Sequence, residues 1–219
     1  MLQTAFNGVV TGVIMTLPAL AVTLLFGVLK FPNFAVGAMM TVAAYLAFAL
    51  NAQLGWPLAP ATAVAACAMG LLCIGIDQVT FRPLRERGGI TLMVASLGLG
   101  FILENVARFA YGNSARSFDL ELARPFRLAG VRMNQEQMIT IAVSAAAMLA
   151  MWVLLTRMPM GRAMRAVADN PSLALVRGIE SPRVIRWTWF IAGVLLAVGG
   201  VLIGMVFSRM TDFQCLSRY

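Results

Sequence analysis

Long apolar stretches alternate with short polar interruptions along this chain, and that spacing predicts its elements. Residues 8–29 (GVVTGVIMTLPALAVTLLFGVL) are apolar and long enough to form a first membrane span. Pro18 interrupts the backbone ladder inside it, and Gly8 and Gly12 predict a close contact with another helix. No residue between Lys30 and Asp77 is charged. One helix over that interval would reach about 70 Å, against a hydrocarbon core of about 30 Å, so the chain must turn back. The turn signal is NAQLGWP at 51–57, with Gly55 and Pro57 as breakers and Trp56 as an interfacial aromatic. This predicts span two over 33–51 and span three over 58–79. Span four follows over 90–111, span five over 137–156 and span six over 187–208.

The interruptions carry the charge. FRPLRERGG at 81–89 is a short basic loop, and residues 157–186 hold Arg157, Arg162, Arg165, Arg177, Arg183 and Arg186 against Asp169 and Glu180. The loop at 112–136 is nearly balanced, with Asp119, Glu121 and Glu136 against Arg116, Arg124, Arg127 and Arg132. Basic loops stay cytoplasmic. Lys30, 81–89 and 157–186 fall on one side only if six spans alternate and the N-terminus starts outside. The first 29 residues carry no positive side chain, which argues against a secretory signal peptide.

Within 157–186 the helix punctuation is dense. Pro159 fits the first turn of a short helix. Met160, Met164 and Val167 share one face, while Arg162, Arg165 and Asp169 share another, with Arg165 and Asp169 spaced for an ion pair. Asn170 followed by Pro171 stops this helix and caps a second, and Gly178 stands just past its end. Ser181-Pro182 repeats the device before span six. Two short amphipathic helices forming a docking element, or a solvated linker with helical propensity, both satisfy this pattern.

Composition narrows the class. The chain is 60% hydrophobic and 12% charged, where soluble domains carry about 25% charged residues. The sequence therefore reads as one all-α transmembrane domain over 1–219, with 157–186 as its cytoplasmic segment. A net charge of +8 has no polar face on which to meet nucleic acid. The chain has no histidine, and Cys67, Cys73 and Cys215 form no C-x-x-C, so no metal site or cofactor is expected. No G-x-x-x-x-G-K-[ST] segment is present, so the chain itself carries no P-loop for ATP. A secondary transporter would need ionisable residues near the membrane centre, and 31–76 and 137–156 have none.

Three segments in order carry a resemblance: FGVLKFPNFAVGAMMTVAAY at 26–45, FRPLRERGGITLMVASLGLGFILEN at 81–105 and GRAMRAVADNPSLALVRGI at 161–179. The chain resembles the permease subunits of bacterial ABC importers for branched-chain amino acids. Related permeases carry urea or short amides, and these residues do not separate the two. The resemblance implies a second permease subunit, cytoplasmic ATPase subunits, a periplasmic solute-binding protein and a place in the inner membrane. It also implies that 161–179 seats in a groove of the ATPase. Arg162, Arg165, Asp169 and the Asn170-Pro171 break would make the polar contacts. Met160 and Met164 would fill an apolar notch, with Gly161 and Gly178 shaping the loop.

The chain departs from the family in three places. Val36 stands where the family usually has histidine, and Glu104-Asn105 where it commonly has Gln-Asn. Family members run on for two further spans, so RMTDFQCLSRY predicts a shortened subunit, with a non-transporting remnant as the alternative to a working permease. Asn33, Ser96, Glu104 and Asn105 are the candidates for a solute path. Helix packing is the reading these residues favour for Asn33, Ser96 and Asn105, and for Glu104 the alternative is pairing with Arg108 and reaching water near the outer end of span four.

Overall fold

The computed structural model describes residues 2–112, 126–128, 131–133 and 135–216, with side chains described over 6–52, 54–112 and 137–206. Eight α-helices follow in order among the described residues: α1 (Leu2–Leu29), α2 (Val36–Phe48), α3 (Leu58–Ile76), α4 (Gly89–Tyr111), α5 (Gln135–Arg157), α6 (Pro159–Asp169), α7 (Pro171–Val176) and α8 (Ser181–Leu216). Five described helices are long and apolar enough to cross a membrane: Phe6–Leu29, Leu58–Arg87, Gly89–Tyr111, Gln137–Arg157 and Ser181–Val206. A sixth apolar helix, Val36–Ala52, is shorter. The chain is a multi-pass α-helical membrane protein.

Several boundaries differ from the sequence expectation, each for a local reason. Span two starts at Val36 because Lys30 adopts φ 59° and ends α1, and residues 30–35 then run without helix. Phe31 and Ala35 in this stretch are buried, as is Asn33. Irregular backbone at membrane depth is tolerated only where protein or a water-filled cavity covers it. The basic stretch after span three is wound rather than open: a π turn over Asp77–Phe81 passes into a 3₁₀ helix over Arg82–Arg87, and Gly88 at φ 98° releases it. α8 starts at Ser181, not 187, so Glu180 rather than Ser181 caps it, its carbonyl accepting from the Val184 N–H at 3.2 Å.

Within the stretch expected to be a mixed-charge loop, β1 (Phe126–Leu128) pairs antiparallel with β2 (Val131–Met133). The charged side chains at 116–136 lie outside the described residues, as do those of RMTDFQCLSRY. The turn between spans two and three stands as expected, closed by the Asn51 amide donating to the Trp56 carbonyl at 2.9 Å.

α8 is the hub, packing on α1, α2, α3, α5, α6 and α7. Small residues set how closely it approaches. A Cβ on Gly193 would stand 2.8 Å from the Gly70 Cα and 2.9 Å from the Met69 carbonyl oxygen of α3. On Gly200 it would stand 2.6 Å from the Met40 carbonyl oxygen, and on Gly199 3.1 Å from the Pro18 Cδ. Gly193, Gly199 and Gly200 thus give α8 a close-packing side. Gly8 and Gly12 are not: nothing lies within 4 Å of either. They sit on the exposed side of α1, whose buried side is Val10, Ile14, Leu17, Ala21, Leu24 and Leu25.

Rings tie one end of the bundle together. Phe31, just past α1, packs on Phe81 with ring centroids 5.3 Å apart, and Phe81 stacks on Trp189 of α8 at 5.2 Å. Arg165 and Met164 of α6 line one groove with Gly27 and Val28 at the end of α1. Lys30, residues 82–87 and the 157–186 segment therefore converge on one end, as the charge pattern requires.

Gly193→Val should lower the thermal unfolding midpoint of the detergent-solubilised protein, with a cost of about 1–3 kcal/mol for overpacking. The obstructing atoms are backbone and cannot rotate away. Gly12→Ala should leave the midpoint unchanged or slightly raised. Intrinsic fluorescence during heating measures both.

Candidate functional site

The basic end is built from α6 upward. Met158 is extended (φ −84°, ψ 149°) and Pro159 opens α6. Gly161 then packs against the end of α5, where a Cβ would collide with the Leu154 carbonyl oxygen and meet the Leu155 Cα at 2.6 Å. Only glycine permits so sharp a return. Gly161, Met164 and Val167 are buried at helical spacing, while Arg162, Arg165 and Asp169 are exposed. α6 thus lies across the ends of α1, α5 and α8, apolar side inward.

This placement corrects two expectations. Met164 is 1% exposed, so it is not free to fill a notch on another protein, while Met160 is half-buried against the same core. Their apolar face is consumed in seating α6 on its own bundle. Arg165 and Asp169, though correctly spaced, form no ion pair among the described residues. Arg165 instead borders the groove between α1 and α5 with Leu20, Leu24 and Leu155. Helical side chains lean toward the N-terminus, which draws the guanidinium away from Asp169.

α7 matches its sequence reading closely. The Asn170 Oδ1 accepts from the Ser172 and Leu173 N–H groups at 3.1 and 3.2 Å, and from the Ser172 hydroxyl at 2.6 Å. At the other end Gly178 has φ 77°. Its N–H donates to the Leu175 carbonyl at 2.9 Å, and the Ile179 N–H to the Ala174 carbonyl at 3.0 Å. This pair of bonds is the Schellman termination that left-handed glycine allows. Only Ala174 of α7 is buried. Leu173, Leu175 and Val176 are 63%, 63% and 85% exposed. An apolar LALV run inside a charged segment was the sequence signal for this face, and helix punctuation drew attention away from it. The end of the bundle therefore presents uncovered apolar side chains beside Arg162, Arg165 and Asp169, which join no ion pair among the described residues.

A second feature went unread in the sequence. Asp77 is 3% exposed and pairs with Arg85 eight residues later. The Trp189 indole lies beside the same carboxylate but outside hydrogen-bond geometry. The π turn and 3₁₀ helix curl Arg85 back toward Asp77. The pair fastens the 3₁₀ turn back onto the end of α3, where Phe81 stacks on Trp189 of α8. The spacing is not that of a regular helix, so only the curled backbone reveals the partnership.

Of the solute-path candidates, Asn33 and Ser96 both brace the unwound 31–35 stretch. The Phe34 N–H donates to the Ser96 Oγ at 3.0 Å, and the Ser96 hydroxyl donates to the Met93 carbonyl at 2.7 Å. The Asn33 Oδ1 accepts from the Ala35 N–H at 3.0 Å, leaving its Nδ2 buried without a partner among the described residues. The unwound 31–35 stretch thus rests on α4, with Ala35 beside Gly100. Glu104 and Asn105 lie elsewhere. Glu104, half-exposed, pairs with the exposed Arg108 one turn on. Asn105 bonds the Phe101 carbonyl at 2.7 Å and stands about half a turn around α4 from Ser96 at 3.6 residues per turn. Thr140 and Ser144, one turn apart on α5, are fully buried with no partner for their hydroxyls among the described residues.

Arg85→Met should destabilise the protein more than the double variant Arg85→Met/Asp77→Asn, because the single change leaves an uncompensated buried carboxylate. The expected loss lies at the low end of about 3–5 kcal/mol for a broken buried pair, since Arg85 keeps 26% exposure. Thermal unfolding of the three proteins measures the order.

Residues 4–214 match the family described as "Branched-chain amino acid transport system / permease component". The chain is 30% identical, over 234 aligned residues, to the high-affinity branched-chain amino acid transport system permease protein LivH of Escherichia coli K12, covering 97% of this chain and 73% of that one. It is 27% identical over 217 residues to the corresponding BraD of Pseudomonas aeruginosa, covering 93% and 71%. It is also 27% identical over 211 residues to a probable LivH of Methanocaldococcus jannaschii, covering 87% and 62%. No solved structure matches it. With a family match running from α1 through α8, across the unwound stretch and the capped α6–α7 pair, the chain belongs to the branched-chain amino acid transport permease family.

Proposed function

We propose that this chain is a membrane-spanning subunit of an ABC importer that passes amino acids, branched-chain ones first, through the inner membrane. Its N-terminus lies outside, and the basic end meets the cytoplasm. A second permease subunit completes the path, a periplasmic binding protein delivers the solute, and cytoplasmic ATPase subunits hydrolyse the ATP. The observation that carries this reading is the α6–α7 element. Met164, Val167 and Ala174 anchor it inward, while it offers Leu173, Leu175 and Val176 outward beside uncompensated charge. Such a face is suited to a protein partner: an apolar centre to desolvate and charged groups at its rim. Because the anchoring residues belong to the bundle core, a push on α7 would move α6, and α6 rests on α1, α5 and α8.

The solute path in this reading runs by the unwound stretch at 31–35. Discontinuous helices leave backbone groups free to meet polar solutes near the membrane centre. Asn33 supplies a buried amide without a partner there, and Ser96 braces the stretch from α4.

Two variants test the docking face on the whole complex. Arg162→Glu/Arg165→Glu and Leu173→Asp/Val176→Asp should each insert and purify normally yet reduce ATPase recovery on affinity purification at least about tenfold, since desolvated hot-spot residues each carry about 2 kcal/mol or more. Undiminished ATPase recovery with both variants would refute the docking assignment. For the path, Asn33→Leu should lower uptake of labelled leucine while leaving ATPase recovery intact. Retained uptake would remove Asn33 from the path.

A further inference from the structure

We propose that the groove between α3 and α8 at the basic end of the bundle binds an anionic phospholipid. The groove is a cavity of about 430 Å³ lined by Leu71, Ile74 and Gln78 on one side and Arg183, Arg186, Trp187 and Phe190 on the other. It is separate from the docking face on α6 and α7 and does not depend on the role assigned to that face.

Its polarity is graded along the membrane normal. Arg183 and Arg186 stand on the first turns of α8, level with Gln78 across the groove. Arg183 shares an exposed ion pair with Glu180 at 3.2 Å. Arg186 is exposed and joins no ion pair among the described residues. The mouth therefore keeps a net positive charge. Below it the wall turns apolar, and Leu71 lies about 10 Å deeper than Gln78 at 1.5 Å per residue. Leu71 is 64% exposed, so this depth of α3 is left open to whatever occupies the groove.

Trp187 stands between the two zones, 47% exposed and edge-on to Phe190 with centroids 5.8 Å apart. An amphipathic indole favours the level where acyl chains meet headgroups. The close backbone approach of α3 and α8 at Gly70 and Gly193 closes the inner side of the groove, where a Cβ on Gly70 would meet the Phe190 ring at 2.6 Å. A phospholipid fits this sequence of surfaces from top to bottom. Its phosphate takes paired N–H bonds from the guanidinium groups and its chains lie along Leu71 and Ile74. The acidic neighbours oppose an anion only weakly: Glu180 is held by Arg183, and Asp77 is buried against Arg85.

The test uses the full chain in nanodiscs doped with brominated phosphatidylglycerol or brominated phosphatidylcholine. Quenching of Trp187 is read as the difference between the wild type and Trp187→Phe. Brominated phosphatidylglycerol should reach half-quenching at about fivefold or more lower mole fraction than the zwitterionic lipid, as expected for one net positive charge at the membrane surface. That preference should fall below about twofold in Arg183→Gln/Arg186→Gln. Arg186→Gln alone, which spares the ion pair with Glu180, should lose a large part of it if the double variant folds poorly. Equal quenching by both lipids overturns the proposal. So does a preference that survives both variants, and so does an absence of quenching by either lipid, which would mean that protein covers the groove.

Discussion

The bundle depends on how closely α8 can approach its neighbours. Two helices in lipid gain nothing from expelling water, so contact must come from van der Waals packing, and packing needs short side chains where backbones meet. Gly193 against Gly70, Gly199 against Pro18 and Gly200 against Met40 provide three such points along one helix. They bring α3, α1 and α2 around α8 and leave its buried face to Trp189, Leu196 and Val201. The rings of Phe31, Phe81 and Trp189 finish the contact at the basic end. The same approach positions the foot of α8, and therefore where α6 and α7 stand.

The unwound stretch at 31–35 is the second consequence of this core. A backbone without helix inside a membrane would leave N–H and C=O groups unsatisfied. Here Ser96 accepts from Phe34 and Asn33 accepts from Ala35, while Phe31 and Ala35 are sealed into the core. The short length of α2 follows, because its helix begins part-way through the bundle. The Asn33 Nδ2, which has no partner among the described residues, is the polar group left over from this arrangement.

Much of the site was legible before folding. Asn170, Pro171 and Gly178 act through hydrogen bonds and dihedral preferences within a few residues, so their roles as cap, first turn and terminator could be read directly. The apolar side of α6 was equally visible as a period. Its direction was not. Met160 and Met164 could face a partner or the chain's own core, and the choice depended on Gly161 folding α6 flat onto α5. The exposed role fell instead to Leu173, Leu175 and Val176, whose helix is too short to reveal a period.

The sequence by itself determined the class of fold, the order of the spans, the common side of the basic segments and the punctuation of the 157–186 segment. Each rests on local rules: run length against bilayer thickness, charge near span ends, and capping within a single turn. Tertiary structure alone decided which glycines matter, so that Gly193 is pressed against α3 while Gly12 faces outward. It alone paired Asp77 with Arg85 and joined Asn33 to Ser96 through the backbone of Phe34. These facts depend on which surfaces of distant helices meet, and a one-dimensional pattern of apolar residues, oily on every side, carries no information about that.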